Sequence, residues 1–175
     1  MLPPTALSSM SWMLLCCLML VSQVHGEDIQ KEQPAARISC PRGSMAYSSH
    51  CYALYTKPTS WMDAEIACQK RPSGHLASIL TGSEASFVSA LMKNTVSLHS
   101  YAWIGLHDPT EGLQHNGGGW EWSNTDVMNY RAWEQEPPSS PDFGYCGTVT
   151  QNSGYRKWKD YDCTKKLPYV CKFKN

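Results

Sequence analysis

Six cysteines, Cys40, Cys51, Cys68, Cys146, Cys163 and Cys171, constrain this 175-residue chain more than any other feature. Two others, Cys16 and Cys17, lie inside the apolar run Trp12 to Val21, which the small residues around Gly26 follow. That run is too short to cross a bilayer, where roughly 20 residues are needed. Residues 1–26 therefore read as a secretory signal cut at Gly26. An even set of cysteines in a secreted domain implies three disulfides, and six cysteines permit 15 pairings. No Cys-x-x-Cys pair is present, so a zinc or redox site lacks its spacing. No Asn-x-Ser/Thr sequon occurs either, so no N-glycan is expected.

The run Trp103-Ile104-Gly105-Leu106, closed by His107-Asp108-Pro109, reads as a fully buried central strand. Gly105 inside it predicts a close backbone approach. Upstream, Ser60-x-x-Asp63 and Thr81-x-x-Glu84 have capping-box spacing. They predict helices to about Arg71 and about Lys93, with Trp61, Ala64 and Cys68 on one apolar stripe and Phe87, Val88, Leu91 and Met92 on the other. A small hairpin around Ser48-Ser49-His50 precedes the helices, and His75 to Leu80 forms a short strand or edge segment between them. Both helices precede the central strand, which favours an antiparallel α+β domain over a parallel sheet.

From His107 to Tyr145 the pattern turns irregular, with Gly117-Gly118-Gly119, Trp120, Trp122, Trp133, Pro137, Pro138 and Pro141. A loop of that length inside a small domain points to function, and its tryptophans are expected to anchor it internally. Three strands are expected after it, over 145–150, 156–159 and 167–173.

Formal net charge is zero but unevenly spread. Residues 38–153 hold six basic and ten acidic residues, whereas 154–175 hold seven basic and two acidic ones, 7 − 2 = +5. The basic end suits an anionic membrane or a heparin-like polymer, or else is an ordinary solvated face. Residues 27–37 are polar, carry three acids and two bases, and end at the trypsin-like bond Arg37-Ile38. They read as a cleavable arm ahead of a domain over 38–175.

Several motifs together resemble the C-type lectin-like domain: Cys68 with Gly74-His75-Leu76-Ala77-Ser78-Ile79, Trp103-Ile104-Gly105-Leu106, Trp158-x-Asp160 with Cys163, and Tyr169-Val170-Cys171. Cys68 to Gly74, Trp103 to Thr110, Gly119 to Ser123, Asp126 to Tyr130 and Leu167 to Phe173 resemble the regenerating (Reg) family, nearest its type III or pancreatitis-associated subgroup. The resemblance implies two helices, antiparallel sheets, a long loop region, and the pairings Cys40–Cys51, Cys68–Cys171 and Cys146–Cys163.

Calcium-dependent lectins of this fold hold the ion with side-chain oxygens, because Ca²⁺ takes 6–8 hard oxygen ligands. The matching positions here read Glu136-Pro137-Pro138, Gly144 and Lys159-Asp160, which keeps two of five ligands and puts an ammonium at one position. No calcium, other metal or cofactor is therefore expected. The resemblance to the type III subgroup implies calcium-independent binding of bacterial peptidoglycan, an antibacterial defence role, and activation by cleavage after Arg37 to leave Ile38 first. The subgroup's binding tripeptide, Glu-Pro-Asn, falls here at Gln114-His115-Asn116. Gln114 keeps the length and the carbonyl but loses the charge-assisted hydrogen bond of a carboxylate. His115 loses the stiffening proline, so the segment also fits a polar loop tip. Lys93 matches a basic position tied to membrane activity in that subgroup, and Arg156, Lys157, Lys165 and Lys166 are the other candidate anion contacts.

Other classes find less support. No Gly-x-Ser-x-Gly or His-Glu-x-x-His motif marks an enzyme, and nothing beyond the basic end points to nucleic acid. A secreted growth-regulating or acute-phase ligand of a cell-surface receptor is the alternative function. Self-assembly after loss of the arm is a further expectation from the resemblance.

Overall fold

Residues 38–94, 99–115, 118–139 and 143–175 are described by a computed structural model. The chain divides after Arg37, and all the described elements belong to the unit Ile38–Asn175. The signal, the arm and the cut at Gly26 and Arg37 lie outside the described residues.

Strand β1 (Met45–Tyr47) turns at Ser48-Ser49 into β2 (His50–Thr59), with Tyr47 opposite His50. Ser48 takes the left-handed conformation (φ 52°) that such a two-residue turn requires. Helix α1 (Trp61–Cys68) follows, then β3 (His75–Leu76), helix α2 (Gly82–Lys93) and β4 (Tyr101–His107). The long loop holds the short β5 (Glu121–Trp122), and β6 (Cys146–Thr150), β7 (Trp158–Tyr161) and β8 (Leu167–Phe173) complete the chain.

The strands form one sheet in the order β1-β2-β8-β4-β6-β7, with β3 paired to β8 and β5 to β4. The paired strands are antiparallel except β4 and β8, whose parallel contact joins Trp103 to Tyr169. The sheet is therefore mixed at its centre. Between β2 and β8 the register slips from Tyr55↔Tyr169 to Thr59↔Leu167, where Pro58 and Pro168 lack the N–H a ladder needs.

Strand β4 is buried on both faces. Ala102, Ile104 and Leu106 enter one core with Val88, Met92 and Ile79, while Trp103 enters a second with Trp61, Ala64, Leu76 and Phe173. That two-sided burial is why its sequence reads as a continuous apolar run. At Gly105 a Cβ would stand 2.5 Å from the Leu76 carbonyl oxygen, so the close approach is real.

Both helices start where their caps require. Ser60 Oγ accepts from the Asp63 amide at 3.4 Å, and Thr81 Oγ1 accepts from the Glu84 amide at 3.1 Å. Helix α1 stops at Cys68, short of Arg71, because the Arg71 amide folds back to the Cys68 carbonyl at 3.0 Å and Gly74 to Arg71 at 2.9 Å. The strand expected from Arg156 starts at Trp158 instead. Tyr155 sits at φ 61°, and the Arg156 and Lys157 amides donate to Ser153 Oγ at 3.2 and 2.9 Å rather than to a neighbouring strand. Only His75 and Leu76 of the segment 75–80 pair as strand. The disulfides join Cys40 to Cys51, Cys68 to Cys171 and Cys146 to Cys163.

Candidate functional site

The long loop is held from within by aromatic rings around Trp158. Trp122, Tyr130 and Trp133 meet that ring edge to face at centroid distances of 5.2, 5.6 and 5.7 Å, and Trp120 meets Trp133 at 4.8 Å. Such pairs prefer this geometry because ring edges are positive and ring faces negative. Trp122 and Trp133 thus serve the core, half-buried Trp120 also faces outward, and two stretches of the loop project from this anchor.

The first stretch, 108–115, is shaped by Asp108. Its buried carboxylate accepts from the Thr110 amide and hydroxyl at 2.8 and 2.6 Å and from the Gly112 amide at 3.0 Å. The chain turns through left-handed Glu111 (φ 51°) and Gly112 (φ 77°), and Gln114 and His115 emerge exposed. Gln114 folds against Gly118, whose amide donates to the His115 carbonyl at 3.2 Å. Asn116, the third candidate residue, lies outside the described residues.

The second stretch, 133–139, is fastened to β7. The Glu134 amide donates to the Trp158 carbonyl at 2.8 Å, and the Ser139 amide donates to Asp160 at 2.9 Å. The Ser139 hydroxyl also donates to Asp160, whose side chain is fully buried. Between these anchors runs the cis Pro137-Pro138 bond.

The two stretches enclose a cleft of about 330 Å³. Gln114 and His115 line one side, Pro137, Pro138 and Gly144 the other, with rings from Trp120, Phe143 and Tyr145 between them. Phe143 is 54% exposed, an apolar ring presented to solvent at the mouth. The charged groups lining it are Asp108, Glu111 and Asp160, with His115 as the basic side chain.

Of the five positions that match calcium ligands, Pro138, Gly144 and Asp160 line the first cleft, Lys159 lines another, and exposed Glu136 lines neither. Asp160 already receives two hydrogen bonds from Ser139. At Gly144 a Cβ would stand 2.3 Å from the Tyr161 carbonyl oxygen, so the backbone admits no glutamate there. Among the described residues no group of three or more acidic, histidine or cysteine side chains gathers as a metal site.

The candidate basic residues separate into two places. Lys93, at the end of α2, lies against Gly154, close in sequence to exposed Arg156 and Lys157. Lys165 and Lys166 sit elsewhere, 4.0 Å from Asp162 and 3.6 Å from Asp63. Lys172 belongs to neither. It is 6% exposed and bonds Glu84 at 2.8 Å and Ser78 Oγ at 3.0 Å. Tyr52 donates to the same Glu84 carboxylate, and burial, with that carboxylate, pushes the Tyr52 hydroxyl far above its ordinary pKa. Alternation in β8 does not announce this buried network, because both faces of the strand are covered.

Comparison with known proteins gives one answer. The Lectin C-type domain family matches residues 57–173. Human regenerating islet-derived protein 3-gamma is 61% identical over 175 residues, all of both chains, and mouse regenerating islet-derived protein 3-beta is 62% identical over 173 residues, 99% of each. The crystal structure of human lithostathine to 1.3 Å aligns with a TM-score of 0.72 at 42% identity, covering 85% of this chain and all of that one.

Proposed function

The chain belongs to the C-type lectin domain family and, within it, to the Reg type III proteins, and from that premise we propose that it is a secreted, non-enzymatic binding protein for bacterial cell-wall carbohydrate, peptidoglycan, working without calcium in antibacterial defence. The cleft between residues 108–115 on one side and 133–139 with 143–145 on the other carries this reading. Sugar rings present apolar faces and outward hydroxyls, and such a cleft offers Phe143, Trp120 and Tyr145 to the faces and oxygen acceptors to the hydroxyls. Glu111 and Gln114 are the exposed acceptors, because Asp108 and Asp160 are already engaged by the loop. Ser139 holds the second loop through Asp160, so the cleft keeps its shape without an ion.

In this reading residues 1–26 are removed on secretion and 27–37 are cut after Arg37. The cut removes three acids and two bases. Lys93 with Arg156 and Lys157, and separately Lys165 with Lys166, are then the candidate contacts for an anionic membrane or polymer. Retention on insoluble peptidoglycan tests the cleft. Phe143→Ala combined with Gln114→Ala is expected to weaken it about ten-fold, the scale of one hydrogen bond plus one ring contact. Unchanged retention by a folded double variant refutes the assignment.

A second reading, a growth-regulating ligand for a cell-surface receptor, is favoured by a different surface. Met62 and Ile66, one turn apart on α1, are 60% and 50% exposed. One relative, 50% identical, bears the name pancreatic beta cell growth factor. If Met62→Glu abolishes cell binding while peptidoglycan retention persists, the receptor reading is supported.

A further inference from the structure

Behind the second loop lies another cleft of about 400 Å³, lined by Ser100, Tyr101, Glu134, Gln135, Ser139, Thr150, Asn152 and Lys159. It shares no lining residue with the first. The two differ in charge. The first is lined by three carboxylates and no lysine or arginine, whereas this one is lined by one lysine and one carboxylate, Glu134. The Lys159 ammonium stands 5.7 Å from the centre of the Tyr101 ring, which holds it at the cleft wall by cation–π attraction.

The basic group at Gly154 adjoins this cleft through fixed backbone. Thr150 and Asn152, both lining residues, belong to the same turn as Gly154. That turn is closed by Tyr155 N to Thr150 O at 2.8 Å, Gly154 N to Gln151 O at 2.8 Å and Thr150 N to Lys157 O at 3.2 Å. Ser89 of α2 donates to the Gly154 carbonyl at 2.7 Å and brings the helix end with Lys93 to the same place. Among the described residues, none of Lys93, Arg156, Lys157 and Lys159 has a carboxylate within ion-pair distance, in contrast to Lys165, Lys166 and Lys172.

We propose that this second cleft, with Lys159 at its wall and Lys93, Arg156 and Lys157 at its rim, is a separate binding site for an acidic polysaccharide. The ammonium takes a sulfate or carboxylate, the side chains of Gln135, Asn152 and Ser100 take hydroxyls as donors, and Glu134 accepts from a hydroxyl. No aliphatic side chain lines the cleft, so it offers a lipid surface nothing to bury. A glycan presents the hydroxyls and fixed anions that the lining matches. The site is independent of the peptidoglycan reading, and either can fail alone.

Fluorescence anisotropy with labelled oligosaccharides on residues 38–175 tests it. A heparin-derived octasaccharide and a hyaluronan oligomer separate sulfate from carboxylate recognition, a chitin oligomer supplies the neutral control, and anionic phospholipid vesicles compete. At least one acidic oligomer is expected to bind, with Lys159→Gln weakening it about ten-fold. Asn152→Asp, which keeps Lys159 and lowers the net charge by one as Lys159→Gln does, is expected to weaken it several-fold. The control Lys165→Ala/Lys166→Ala, which lowers the net charge by two where Lys159→Gln lowers it by one, is expected to change it less than about two-fold, as exposed pairs do. Equal losses in all variants mean unspecific attraction and overturn the site. So do absence of acidic-glycan binding, equal affinity for chitin oligomers, or displacement by vesicles with no effect of Asn152→Asp.

Discussion

Gly144 shows, at the scale of one residue, why the calcium pattern is lost beyond easy recovery. The strand-side position that a ligand glutamate would need is filled by the Tyr161 carbonyl, and Asp160 is engaged by Ser139. A Pro138→Asn/Gly144→Glu/Lys159→Asn variant is therefore expected to gain no calcium affinity by isothermal titration, and a clear binding isotherm would contradict this. The missing ligand types were readable in the sequence, but the blocked backbone was not, because it depends on a strand that arrives later in the chain. Lys172 makes the same point in reverse. Counted along the sequence it is one of a basic run. In the fold it is buried between Ser78 and Glu84, with Asp126 at 3.9 Å. Lys172→Ala leaves the Glu84 carboxylate buried without its cation and is expected to cost about 3–5 kcal/mol in urea unfolding. A cost under about 1 kcal/mol, the level of an exposed pair, would show the network to be dispensable.

At the scale of the element, starts were more legible than stops. Ser60 and Thr81 cap their helices through atoms three residues away, so local sequence suffices, and Thr81→Ala is expected to lower stability by about 1 kcal/mol. The end of α1 is set by local turns over 69–74, where Pro72-Ser73-Gly74 signals a stop in the sequence, and by the Cys68 link to β8, which is not local. Where α1 meets β4, His107 stacks on Trp61 at 4.8 Å. Burial lowers its pKa from 6.5, against the opposing pull of Glu121, Glu65 and Asp108. Burial first, then Lys172 and Lys174, lowers His50 as well, with Asp126 and Glu84 opposing. A folded pKa below the unfolded one means that the unfolded chain takes up the proton first. Stability is then full above about pH 6.5 and falls as pH drops through that value toward the folded pKa. The lowered carboxylates Asp63, Asp126 and Asp162 act only below their ordinary 3.8 and leave this window clear. Urea midpoints are expected to fall between about pH 7 and about pH 5, and His107→Gln to flatten part of that slope. An unchanged slope in the variant would place the acid sensitivity elsewhere.

At the scale of the whole molecule, the resemblance supplied the disulfide pairing that spacing left open among 15 choices, and the structure shows that same pairing. Cys68–Cys171 spans 103 residues and fastens α1 to the central β8, whereas Cys40–Cys51 spans 11. Loop-closure entropy for about 100 residues is worth about 4.7 kcal/mol, against about 3 for a 15-residue loop. Replacing both cysteines of the long bridge with serine is thus expected to lower the thermal midpoint more than removing the short one. The strand Trp103 to Leu106 and the loop's internal anchoring were legible because burial writes itself as an apolar run. The meeting of residues 108–115 with 133–139 and 143–145 was not, because it is made by Asp108, Asp160 and the ring cage around Trp158, none of which is adjacent in sequence to both. That meeting is the central claim for function. Its most direct test is an amide-resolved NMR titration of residues 38–175 with soluble peptidoglycan fragments in the presence of a calcium chelator. Saturable shifts at Gly112, Gln114, Gly118 and Gly144 are predicted, unchanged when calcium replaces the chelator. Shifts that appear only with calcium, or that miss this cleft altogether, would contradict the account.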